Sequence, residues 1–292
     1  MKKTILYSML LCLAAVFPSC EQDANIDVDI PDMPPKLVIN SFITPQDTFI
    51  RVRVTKSNPI FGSQDIDPAA PVENATVKIF GNNTSVVLTY DAVQELYFIA
   101  TTVFSVNPGN EYRLEVSAPG MSDVSSITVV PPAPPADFSA SFVSGIDSSQ
   151  VYWWQYNIES VFSFTDVPLA PDYYRIEERL LSYDPFTSDS LQRDYWQSLL
   201  IEENEDGGAV EKSSYTYYTL NHDVNYYEEP VAMIYYFFRC SESYYKYHVG
   251  LYNFSGGGGG DPFTEPSFMY SNISGGYGIF AAANYAVKRV NF

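Results

Sequence analysis

The sequence predicts a mostly-β protein, with an N-terminal immunoglobulin-like β-sandwich followed by a β-rich domain carrying one or two helices. Three observations point there: short stretches of strict apolar–polar alternation, turn residues spaced between them, and a proline run that divides the chain. In Thr48–Val54, Ile50, Val52 and Val54 share one side while Arg51 and Arg53 share the other, the period of a half-buried strand. The same reading fits Lys36–Phe42, Ala75–Phe80, Ser85–Tyr90, Leu96–Thr101, Tyr112–Ala118 and Ser125–Val130. About seven short strands over ~95 residues is the pattern of an immunoglobulin-like sandwich. Asn107-Pro-Gly-Asn110 supplies one tight turn, with Pro108 presetting φ and Gly109 free to take a positive value.

Pro131, Pro132, Pro134 and Pro135 cannot pair within a sheet, so residues 131–135 are expected to be a hinge between a sandwich at 36–130 and a second domain at 136–292. That second block is less regular and very aromatic. Strands fit Phe138–Ser144, Tyr152–Phe164, Tyr173–Leu181, Ser214–Leu220, Val231–Arg239 and Gly278–Val290. Helices fit Ser188–Leu200 and Ser241–Asn253, the second capped by Ser241, with Tyr244, Tyr247, His248 and Leu251 on one face.

The start of the chain predicts export. Lys2 and Lys3 precede an apolar run, Ile5–Phe17, that is shorter than the ~20 residues of a membrane span but suits a signal peptide. Phe17-Pro-Ser-Cys20 resembles the lipobox of bacterial lipoproteins, which implies a signal peptide at 1–19 and a lipid on Cys20. Residues 20–35 are acidic and proline-rich, a tether rather than a packed element. Glu21 and Asp23, directly after the cysteine, resemble the surface-export signals of Bacteroidota lipoproteins. Loss of the leader would take the net charge from −19 to −21, since Lys2 and Lys3 go with it. Such acidity makes nucleic acid and anionic lipid surfaces poor partners.

Chemistry-bearing residues are sparse. Of three cysteines, Cys12 lies in the leader, Cys20 carries the lipid, and Cys240 ends an apolar stretch where a buried thiol is expected. His222 and His248 are the only histidines, too few for a zinc site and without a serine-elbow motif beside them. The chain is therefore expected to need no cofactor and to be no enzyme. Glu202, Asn204 and Asp206, followed by Gly207, have the alternate spacing of a calcium loop, but the twelfth position is Ser213 where that loop needs Glu. A solvated acidic loop is the plainer reading.

Paired aromatics carry the remaining functional weight: Trp153 and Trp154, Tyr173 and Tyr174, Tyr195 and Trp196, Tyr217 and Tyr218. Neighbours in a strand point to opposite faces, so each pair should send one ring inward and one outward. Outward rings beside acids suit contact with sugars, peptides or another protein.

The end of the chain resembles a known family. Asp261-Pro-Phe-Thr-Glu-Pro266, Tyr270-Ser-Asn-Ile273 and Gly275-Gly-Tyr-Gly-Ile-Phe280 are similar to the C-terminal signature of the Bacteroidota lipoproteins called domain of unknown function four-two-four-nine. Its positions here are Pro262, Phe263, Pro266, Tyr270, Asn272, Gly275, Gly276, Gly278 and Phe280, residues that shape backbone more than they suggest chemistry. Leu37-Val-Ile-Asn40, Pro71-Val-Glu-Asn-Ala75 and Ser241–Tyr247 resemble other parts of that family, so the likeness runs over about Lys36–Asn284. The resemblance implies an outer-membrane lipoprotein beside a TonB-dependent receptor, with no established activity. A structural or adhesive envelope lipoprotein without a small-molecule ligand is the alternative.

Overall fold

The computed structural model of the chain describes residues 34–58, 70–149, 152–168, 172–184, 189–194, 198–203, 207–223, 226–256 and 269–292. The leader, Cys20 and the tether lie outside these residues, as do Tyr195, Trp196, Asn204, Asp206, Pro262, Phe263 and Pro266. Among the described residues no helix is long and apolar enough to cross a membrane.

The alternating segments of the first block form two sheets closing on one core. One sheet runs β1 (Leu37–Ile43), β2 (Phe49–Lys56), β6 (Leu96–Ala100) and β5 (Thr89–Asp91). The other runs β4 (Thr84–Val87), β3 (Thr76–Gly81), β7 (Glu111–Ser117) and β8 (Val124–Val129). Ile39, Ile50 and Val52 from the first meet Val77, Ile79 and Leu114 from the second, all buried. Ser85–Tyr90, read as one strand, is two. The buried Leu88 between β4 and β5 lets the chain leave one sheet and enter the other, its amide held by the Val77 carbonyl at 2.9 Å.

The second block is itself a pair of sheets with a helix. β9 (Ser139–Asp147), β10 (Trp153–Thr165), β14 (Ala209–Asp223) and the short β15 (Tyr226–Tyr227) form one. Across the core lie β11 (Asp172–Asp184) and β16 (Glu229–Cys240), with β12 (Asp189–Asp194) and β13 (Leu199–Glu203) one beyond the other along the outer edge of β11. Ile158, Phe162 and Phe164 pack against Tyr174, Ile176, Leu180 and Phe237. Of the helix expected at Ser188–Leu200, residues 189–194 and 199–200 are instead strand, because the free edge of β11 supplies backbone partners that local helix preference cannot match. The second expected helix is present as α1 (Glu242–Gly256), with the Ser241 hydroxyl accepting from the Tyr244 amide at 3.3 Å. Tyr244, Tyr247 and His248 pack on Phe42, whereas Leu251 is exposed.

β17 (Tyr277–Asn291) corrects the expected division at residues 131–135. Val38–Ile43 of β1 pair in parallel with Tyr277–Ala282 of β17, and Ala283–Asn291 then pair antiparallel with β16. One strand thus completes both blocks. Phe280 and Ala282 enter the first core, while Ile279, Ala281 and Ala283 face Tyr244 of α1 and its neighbours. The proline run does not swing free: Pro131 and Pro134 are buried, and the Asn284 amide donates to the Pro131 carbonyl at 3.2 Å. Prolines stop sheet pairing, as expected, but they are packed against the returning strand. Residues 35–292 make one compact unit.

Candidate functional site

The outer face of the β9–β10–β14 sheet gathers three solvent-facing rings, Trp153, Tyr215 and Tyr217. Alternation along β14 turns Val210, Thr216, Tyr218 and Leu220 inward and leaves Tyr215 and Tyr217 at 63% and 51% exposure. Across the ladder Tyr215 pairs with Glu159, Tyr217 with Asn157, and Asn221 with Trp153, which is 53% exposed. Val143 of β9 stands beside Glu159 and is exposed too. At a rise of about 3.3 Å per residue, this ring ladder extends roughly 20 Å along a hydrogen-bonded sheet. It combines three aromatic faces with an acid and two amides, suited to a flat amphipathic contact.

The inward member of each pair does structural work. Trp154 is half-buried and lies 3.4 Å, centroid to centroid, from the His222 ring. Tyr218 is buried and donates to the Glu178 carbonyl at 3.3 Å. For Tyr173 and Tyr174 the alternation holds but yields no contact surface. α1 covers the outer side, with the Tyr245 ring tilted against Tyr173 at 5.0 Å, and Tyr174 is fully buried. The Tyr174 hydroxyl donates to Asp166 at 2.9 Å, and Asp172 takes two bonds from Arg239 at 3.0 and 2.7 Å. Burial, reinforced by those carboxylates, pushes the Tyr174 hydroxyl well above the ordinary tyrosine range.

His248 and Cys240 serve packing. The His248 Nδ1 atom lies 2.9 Å from the Tyr244 carbonyl and Nε2 lies 3.0 Å from Arg175, an arrangement that suits a neutral ring. Burial, then the Arg175 charge, lowers its pKa to about 4. Burial pushes the Cys240 thiol far up, so it is not a thiolate at neutral pH. Of the candidate calcium ligands Glu202, Asn204 and Asp206, only Glu202 is described; it lies on β13 opposite Tyr173. No three metal-ligating side chains cluster among the described residues.

A family profile matches residues 23–289. The chain belongs to the family Domain of unknown function (DUF4249). No curated protein matches it. Among similar solved structures is one reported as the structural basis for the promiscuous specificity of carbohydrate-binding modules from the β-sandwich superfamily. It is 13% identical, the match covers 69% of this chain and 91% of that one, and the TM-score is 0.20.

The described part of the DUF4249 signature is a backbone device. Asn272 stands where a further strand would pair with β17: its side-chain amide donates to the Phe280 carbonyl at 2.7 Å and its Oδ1 accepts the Phe280 amide at 3.0 Å. Ser274 bridges to Ser125, tying the segment to β8. Gly275 has φ +83, and a Cβ there would lie 2.9 Å from the Asp123 carbonyl oxygen. At Gly276 a Cβ would run into the Leu37 carbonyl. Tyr270 is half-buried under α1, near Lys246. Asn272→Ala is expected to cost about 2 to 4 kcal/mol, because it strands a donor and an acceptor of one buried residue. Urea unfolding measures it; a loss below about 1 kcal/mol would mean that water replaces the amide.

Proposed function

We propose that this DUF4249 chain is a lipid-anchored lipoprotein of the outer membrane. In this reading it is a non-enzymatic accessory to a TonB-dependent transporter, capturing substrate or stabilising the complex. The observation that carries the reading is the exposed ladder of Trp153, Tyr215 and Tyr217 on a sheet whose other face is core. Large rings held rigid by a ladder lose little side-chain freedom on binding, and aromatic residues concentrate in the energetic centres of interfaces. The chain's negative charge argues against lipid headgroups as the surface these rings touch.

The test is extraction of native membranes in mild detergent, with the tagged wild type compared to a Trp153→Ala, Tyr215→Ala, Tyr217→Ala triple variant. Wild type should bring down a TonB-dependent transporter. The variant should retain less than about a tenth of it, since central rings contribute about 2 kcal/mol or more each. Its thermal unfolding should stay near wild type, because the rings removed face solvent. A wild-type protein that purifies alone, with substrate uptake unchanged in a deletion strain, would reject the transporter reading and favour a structural or adhesive envelope role.

A further inference from the structure

A second site lies beside Tyr215 of the ring ladder, where β14 meets β13 and α1. A cleft of ≈ 430 Å³ opens there, walled by Leu199 and Leu200, by Tyr245 and Tyr252, and by the polar pair Glu178 and Thr216. Glu178 is a carboxylate in a core position. Ile176 and Leu180, two residues to either side on β11, are fully buried in the same core, and Glu178 itself is only 4% exposed. Its Oε2 accepts from the Ser160 hydroxyl at 2.8 Å and its Oε1 from the Ser214 hydroxyl. Ser160 lies 3.0 Å from the Tyr235 hydroxyl, so the network continues inward without meeting a cation.

Among the described residues no basic side chain pairs with Glu178. Arg175 reaches the cleft wall, its Nε donating to Ser198 at 2.9 Å. Its charge is taken by Glu177 at 2.9 Å, on the other side of β11. Lys212, on β14, is engaged in an interaction of its own. A buried carboxylate without a counter-charge is unfavourable, and burial here raises the Glu178 pKa. The second wall of the cleft is unfinished as well. Thr216 is 2% exposed and its hydroxyl has no hydrogen-bond partner among the described residues. Buried polar groups are almost always satisfied, so a hydroxyl left open beside an uncompensated acid in one cleft marks a place for an outside donor.

We propose that this cleft binds a small organic ammonium, with the cationic head between Glu178 and Thr216 and an apolar or aromatic tail against Leu199, Tyr245 and Tyr252. An ammonium offers three donors and one positive charge, which supply what these two groups lack. The leucine and tyrosine walls reward a hydrocarbon body more than a fully hydroxylated one. The site stands whether or not the chain docks on a transporter, because the head group rests on Glu178 and Thr216, and of the ladder's three rings only Tyr215 lines the cleft.

The probe is phenethylammonium chloride, with 2-phenylethanol as its neutral counterpart of the same shape, titrated calorimetrically into the purified full-length protein. The amine should bind saturably, at least about tenfold more tightly than the alcohol. Glu178→Gln keeps the side-chain shape and removes the charge, and should weaken the amine by about tenfold or more while leaving the alcohol unchanged. Thr216→Val should weaken the amine by about threefold to tenfold. Glu178→Gln also removes a buried unpaired charge, so it should unfold at neutral pH no earlier than wild type. Equal binding of amine and alcohol would overturn the proposal. So would amine binding that Glu178→Gln leaves intact, which would be general attraction to an acidic chain, or absence of saturable binding up to about 10 mM.

Discussion

Gly278→Ala is expected to destabilise the protein by at least about 3 kcal/mol, and in cells to reduce its yield sharply. Two independent costs fall on this one methyl group. The backbone at Gly278 has φ +104, where a residue with a Cβ is strained by about 1 to 3 kcal/mol. The Cβ would also enter the Ile39 backbone, lying 2.8 Å from its carbonyl carbon and 2.9 Å from its nitrogen, with the carbonyl oxygen nearer still. Gly278 pairs with Ile39 in the β1–β17 ladder, so relief would require pulling apart the pairing that joins the two blocks. Gly109→Ala provides the contrast. Its φ is +80 but nothing lies within 4 Å of the added atom, so only the conformational cost of about 1 kcal/mol remains. Urea unfolding of both variants separates the terms. Equal losses at the two positions would show that contact with Ile39 contributes nothing.

The same strand marks where sequence reasoning stops. Alternation exposed β2, β7 and β10 because their partners' faces need only be apolar, whatever those partners are. Nothing in the stretch from Gly278 to Asn284 reveals that its first half pairs with a strand some 240 residues away while its second half pairs with β16. The small residues Ala281–Ala283 suggest close packing, but not between which elements. β12 and β13 were hidden differently: Leu191, Tyr195 and Leu199 fall at helical spacing, and the edge of β11 that captures this segment is a tertiary fact. The ring pairs were legible as alternating, and Trp153 and Tyr217 do face solvent. Which outward rings stay bare depends on where α1 lies, and α1 covers Tyr173. Glu178 was within reach. In Tyr174-Arg-Ile-Glu-Glu-Arg-Leu180 the inward positions read Tyr, Ile, Glu, Leu, and an acid in that phase is the anomaly that marks a site. Adjacent Glu177 has the opposite phase and pairs with Arg175 and Arg179.

Cys20→Ser is expected to move the protein entirely from the membrane to the soluble fraction. The Phe17–Cys20 motif, an apolar run too short to span a bilayer, and an acidic tether together carry the anchoring proposal. Each buried methylene of an acyl chain contributes about 0.8 kcal/mol, and two or more chains hold a protein where one is marginal. A hydroxyl in place of the thiol accepts none of this, and the acidic body has no compensating attraction to anionic lipid. The consequence reaches the partner as well. Tethering gives a neighbouring membrane protein a high effective concentration, roughly millimolar for a short flexible linker, so a modest interface suffices while the lipid is present. Without it, co-purification with the transporter should fall even though Trp153, Tyr215 and Tyr217 are intact. Restoring an unrelated lipoprotein leader and cysteine should recover both the membrane fraction and the complex. Fractionation with labelled palmitate reads the first effect, and detergent co-purification the second. A serine variant that stays in the membrane pellet, alongside a wild type that takes up no label, would remove the anchor from this account and with it the argument from proximity.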